Sequence, residues 1–187
     1  MLRGVVFAVA AALGSFSLAI AADSTVIRVG VESESIGEWR VADGTLAEAI
    51  AALGPVSSCA TVRRFPGFAS VEWRRLGLRM VFGTYGPGGA RPCRARRAVR
   101  LDRARAYGKQ WRTGRGLRIG DTVTRLRSLY PHATLRTYRP GLAPVRGWWL
   151  VVRTSRVPDF HRVPALLATA RDGRVTELVL NVHAEGD

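Results

Sequence analysis

Eleven basic residues crowd the stretch from Arg91 to Arg118: Arg91, Arg94, Arg96, Arg97, Arg100, Arg103, Arg105, Lys109, Arg112, Arg115 and Arg118. Asp102 is the only acid among them, and Tyr107 and Trp111 are interleaved. Guanidinium forks donate paired hydrogen bonds to phosphate or carboxylate oxygens, and aromatic faces add stacking. This composition therefore suits contact with a polyanion. The competing reading is a solvated, arginine-rich connector, because Lys109 is the only lysine of the chain and GC-rich coding supplies arginine in its place.

Catalytic chemistry has a weaker footing. His132, His161 and His183 share no metal-ligand spacing such as H-x-x-x-H. Ser57 and Ser58 lack the Gly-x-Ser-x-Gly elbow that presents a nucleophile. Tyr85-Gly86-Pro87-Gly88-Gly89 lacks the Gly-Lys-Ser/Thr of a phosphate loop and reads as a turn. Carboxylates such as Glu32 and Glu34 could meet in space, but both are expected in polar surroundings with nothing nearby to raise a pKa. A hydrolase would have to be assembled from Asp121, His132 and Ser57 or Ser58. We assign no catalytic residue, metal ligand or cofactor from sequence.

The environment of these groups follows from the N-terminus. Arg3 precedes an uncharged apolar run from Val5 to Ala22, and Ala19-Ile20-Ala21 places small residues before Asp23. That three-part layout predicts a secretory signal peptide over residues 1–22. An exported chain with two cysteines, Cys59 and Cys93, is expected to bridge them. Export also directs the formal net charge of +15 away from cytoplasmic nucleic acid. Another exported protein or an anionic polymer of the cell envelope is the expected partner. No segment after the leader is apolar for long enough to span a bilayer.

The elements that must position these residues are short. Thr45 and Glu48 form a capping-box pattern ahead of Leu46, Ala49, Ile50 and Leu53, and Gly54-Pro55 ends that helix. A second helix begins after Gly120-Asp121-Thr122, with Asp121 expected as N-cap and Val123, Leu126 and Tyr130 inward. Val71 and Trp73 alternate with Glu72 and Arg74, and Leu78, Met80 and Phe82 alternate with Arg79 and Gly83, as half-buried strands do. Thr25 to Val31 reads as a lone N-terminal strand or an ordered tail. Trp148-Trp149-Leu150-Val151-Val152 is a strong strand, and adjacent strand residues face opposite sides. One of Trp148 and Trp149 is therefore either an exposed anchor for a partner or covered from the second face. Asp172-Gly173 between apolar runs predicts a type I′ hairpin.

Gly120-Asp121-Thr122 with its helix, and Asp172-Gly173-Arg174-Val175 with its strand, resemble the small exported repeats of the BamE-like and beta-lactamase-inhibitor-like fold. The motifs cover roughly the second half of the chain. The resemblance implies a tandem arrangement with helices on one face of an antiparallel sheet. It also implies roles in binding enzymes or in envelope assembly. The lipidated cysteine typical of the BamE-like group is missing here, and no functional residue transfers.

The expected class is α+β, an antiparallel sheet with two short helices, arranged as two related halves. Residues 23–90 form the first half, 91–118 an arginine-rich connector and 119–187 the second half. The expected function is a secreted, basic, non-catalytic binding or envelope-associated protein. Its candidate surface comprises Arg94, Arg96, Arg97, Arg100, Arg103, Arg105, Trp111, Trp148 and Trp149.

Overall fold

A computed structural model describes residues 25–29, 34–41, 44–84, 91–138, 144–153 and 162–182. The leader, Glu32, the Tyr85–Gly89 turn, His161 and His183 lie outside the described residues. Among the described residues, helix is confined to α1 (Leu46–Leu53), α2 (Val123–Leu129) and a single 3-10 turn, Arg74–Leu76. Twelve strands make up most of the rest, so the chain is richer in β-structure than the α+β expectation implied.

Four strands form one meander: β4 (Ser58–Val62), β5 (Phe65–Trp73), β6 (Leu78–Gly83) and β7 (Arg100–Ala106). Another four form a second: β9 (Thr134–Tyr138), β10 (Val145–Arg153), β11 (Val163–Arg171) and β12 (Arg174–Asn181). The last strands of the two meanders pair antiparallel, Leu178 with Ala106 and Leu180 with Ala104. One eight-stranded sheet results, in the order β4-β5-β6-β7-β12-β11-β10-β9. Each meander follows a helix, so the order of elements repeats.

β7 lies inside the stretch expected to be a connector. Its inward residues are Ala104 and Ala106, which carry little strand signal between Arg103 and Arg105. A register shift between Val81 and Phe82 leaves Asp102 as an extra residue and returns Leu101 to the buried side. The N-terminal strand is likewise not alone. β1 (Val26–Arg28) sits between β2 (Ser35–Ile36) and β8 (Arg112–Thr113), and β3 (Trp39–Arg40) completes a small sheet. β8 too comes from the expected connector.

The small sheet and both helices supply Ile27, Ile36, Trp39, Leu46, Ala49 and Leu126 to one continuous core, built on Val71, Trp73, Met80, Phe82, Leu178 and Leu180 of the large sheet. Indole and phenol groups tie these layers together. Trp73 Nε1 donates to Gly54 O at the end of α1 (2.9 Å), Trp111 Nε1 to Leu76 O (2.5 Å) and Tyr130 Oη to Thr113 Oγ1 (2.7 Å). Glu34, beside β2, forms an ion pair with Arg153 of β10.

The capping box of α1 forms as expected: Glu48 N donates to Thr45 Oγ1 and Thr45 N to Glu48 Oε2. The α2 cap is Thr122, whose hydroxyl accepts from Arg125 N, while the Asp121 carboxylate accepts from Arg118 N. The hydroxyl one residue closer to the helix thus takes the role expected of Asp121. Leu76-Gly77 is a break between strands, and Gly77 takes φ +57° where a Cβ would lie 2.5 Å from Gly108 Cα. Asp172 and Gly173 both have positive φ, as a type I′ turn requires.

Cys59 and Cys93 are bridged, with Cα atoms 5.9 Å apart. Closing a loop of 34 residues restricts the unfolded chain. Replacing both cysteines with alanine should lower unfolding stability by about 3–4 kcal/mol, and Thr45→Ala by about 1 kcal/mol. Urea titrations of each variant would check both values.

Candidate functional site

The arginines of the expected strip divide according to the elements that carry them. Arg91, Arg94, Arg96 and Arg97 occupy two successive turns, closed by Arg94 N and Ala95 N on Arg91 O and by Ala98 N on Ala95 O. Three anchors hold these turns. The disulfide joins them to β4, Ala47 N of α1 donates to Arg96 O (3.0 Å), and Leu46 N donates to Val99 O (3.3 Å). The free amides of the first turn of α1 thus find their acceptors in this segment. All four side chains are exposed, as is Arg100 at the start of β7. Arg96 Nε donates to Cys93 O. Among the described residues, no carboxylate pairs with Arg91, Arg94, Arg96 or Arg97.

Further along, the strip changes character. Arg103 is 4% exposed; its Nε donates to Asn181 Oδ1 (3.0 Å), and Asn181 Nδ2 donates to Pro164 O (2.8 Å). Burial pulls its guanidinium below the ordinary arginine range, opposed by the nearby Asp102 charge. Arg105 is half-buried, 3.8 Å from Glu177. Trp111 is 1% exposed, so its ring packs in the core and offers no stacking face.

Trp148 packs against the main core. Trp149, 8% exposed, belongs to a second cluster on the opposite sheet face, with Val145, Leu167 and Val179. Tyr138 meets the Trp149 ring edge-on at 6.3 Å, and the Arg136 guanidinium lies 5.5 Å from the ring centre. Trp149 is therefore buried and Trp148 half-buried against the core, and neither ring stands fully exposed.

Cross-strand register assembles a cluster that sequence reasoning missed. Glu72 of β5, Arg79 of β6 and Arg105 of β7 fall in one row across the open sheet face. With Tyr107 and Glu177 they line an open concavity of about 320 Å³. Glu72 Oε1 accepts from Arg79 Nη2 (2.9 Å) and Tyr107 Oη (3.0 Å), and Oε2 accepts from Arg74 Nε (3.3 Å). The Arg79 hydrogen bond, followed by that from Tyr107, holds the Glu72 carboxyl below the ordinary glutamate range. Desolvation, followed by the Glu72 hydrogen bond, pushes the Tyr107 phenol up. A carboxylate held ionised by three donors is poorly suited to general acid–base work at neutral pH. The one available signal was that Glu72 and Arg79 are both outward residues of neighbouring strand patterns; register alone brings Arg105 and Glu177 beside them.

The residues from which a hydrolase would have to be assembled do not converge. Ser57 precedes β4 and its Oγ accepts from Arg74 N, while the backbone of Asp121 pairs with Val175 of β12. β4 lies four strands from β12, about 19 Å at the ordinary interstrand spacing. His132 is exposed in the turn after α2. Among the described residues, no group of three His, Cys, Asp or Glu is arranged to hold a metal, and no helix is long and apolar enough to cross a membrane.

Comparison with protein-family models, with characterised proteins and with solved structures found no match to the chain. The resemblance to exported tandem repeats therefore rests on the motifs quoted above.

The Glu72 cluster makes stability depend on pH in both directions. Its carboxylate contribution is fully present above the unfolded value of about 4.3 and is lost as pH falls through the lower folded value. The Tyr107 contribution is present below about pH 10 and is lost as pH rises through the higher folded value. Glu72→Gln should flatten the acid limb of a stability–pH profile, and Tyr107→Phe the alkaline limb. Denaturant unfolding across pH would show both changes.

Proposed function

We propose that this chain is an exported, non-catalytic binding protein, and that its partner is an anionic polymer of the cell envelope. One observation carries the reading. Arg91, Arg94, Arg96 and Arg97 are exposed together on a short turn fixed to the scaffold by a disulfide and by the amides of α1. Anchoring the backbone reduces the ordering cost of binding, while the side chains stay free to track a flexible polyanion. The chain carries 29 basic and 14 acidic residues, so its long-range field favours the same class of partner. A disulfide also fits an extracytoplasmic setting.

Binding of this kind releases counterions, so retention on immobilised polyphosphate or polyglutamate should fall steeply as salt rises. Replacing Arg91, Arg94, Arg96 and Arg97 together with serine should weaken binding at low salt by at least about tenfold. A control variant would lose four exposed arginines elsewhere, Arg40, Arg75, Arg127 and Arg171, and should retain most of the affinity. Equal losses in the two variants would reduce the interaction to net charge and overturn the assignment to the turn.

A further inference from the structure

Among the described residues, neither edge strand of the eight-stranded sheet, β4 or β9, is paired on its outer side. Cys59 ties β4 to the 91–98 turns through the disulfide, whereas β9 carries no cross-link. Thr134, Leu135, Arg136 and Thr137 are all exposed there, and Leu135, at 46%, is the more exposed of the two large hydrophobic residues on the described surface. An uncapped edge presents a row of backbone N–H and C=O groups that an extended chain can join.

The side chains around this edge specify what could join it. Between Asp121 and Asp159 the sequence carries seven arginines and no acid. Two of them stand at the edge itself, Arg136 of β9 and Arg146 of β10 opposite Thr137, and both are exposed. A second copy pairing across β9 would oppose like charges, which is destabilising in cross-strand pairs. The two faces of the edge also differ. Leu135 pairs with Trp148, giving an apolar spot on the core-facing side. Arg136, two residues from both Thr134 and Tyr138, lies on the other face over the Trp149 ring.

We propose that β9 accepts an extended acidic segment of another protein as a ninth strand. The segment alternates apolar residues, which meet Leu135 and Trp148, with carboxylates, which meet Arg136. This surface is separate from the arginine turn, and the inference does not rest on the polymer reading. Five residues of β9 offer about 17 Å of edge, enough for two or three such alternations.

The test uses the intact chain and a short synthetic peptide alternating valine and glutamate. Titration should show saturable binding, and hydrogen exchange at the outward amides of residues 134–138 should slow. Methylating alternate peptide nitrogens distinguishes edge pairing from charge attraction. One methylated series faces β9 and should lose at least about tenfold in affinity, whereas the other faces solvent and should bind like the parent. A peptide of the same composition in separate valine and glutamate blocks should bind at least about tenfold more weakly. L135D, checked for folding by circular dichroism, should also lose binding, while the variant lacking the four turn arginines should keep it. Equal binding of both methylated series, equal binding of the block peptide, loss of binding in the turn variant, or dimerisation of the free chain through β9 would each overturn the proposal.

Discussion

The antiparallel pairing of β7 with β12 is the joint on which the architecture depends. Each meander alone would leave its last strand as a raw edge and its apolar face only partly covered. Joined through Arg103–Ala106 and Leu178–Asn181, they share one continuous face that the two helices and the small sheet cover together. The pairing is close because Ala104 and Ala106 place little bulk between Leu178 and Leu180 and the neighbouring β6 residues Leu78 and Met80. A larger inward residue on β7 would have to displace side chains that are already fully buried.

Burial of one face leaves the other to solvent, and that face is not uniform. Over β5, β6, β7 and the start of β12 it carries Glu72, Arg79, Arg105 and Glu177, whose charges largely satisfy one another. Over β10, β11 and the middle of β12 it is apolar, with Trp149, Leu167 and Val179 packed together, Tyr138 against them and Arg136 over the Trp149 ring. Arg103 stands on the boundary, buried and bonded to Asn181. The internally paired cluster has little charge left to offer a ligand. Unpaired positive charge is found instead at the periphery, on the tethered turn and around the β9 edge. The two binding surfaces proposed above follow from that separation.

Much of the local structure was legible in the residues. The capping box at Thr45 and Glu48, the Gly54-Pro55 stop and the Asp172-Gly173 turn depend on contacts within a few positions, and local chemistry decides them. The cysteine pair could be read as a bridge because the sequence holds two cysteines and each has the other as its one possible partner. Strands with bulky alternating residues, such as Leu78–Phe82 and Val175–Leu180, were visible because their period-2 pattern is strong.

Other features depend on partners far along the chain. β7 was concealed because its inward side chains are alanines and a bulge at Asp102 breaks the alternation; only pairing with β6 and β12 makes it a central strand. The same tertiary decision sorted the basic strip, burying Arg103 and Trp111, pairing Arg105 with Glu177 and leaving the 91–97 turns exposed. It packed Trp148 and Trp149 of β10 against clusters on opposite sheet faces, and it assembled the Glu72 cluster from strands brought into register. The sequence by itself determined charge, the cysteine pair and the short-range caps and turns, because each is set within a few residues or by composition. Which arginines meet solvent, and how the two meanders join, depended on the tertiary structure, because burial is a property of the whole sheet rather than of any one segment.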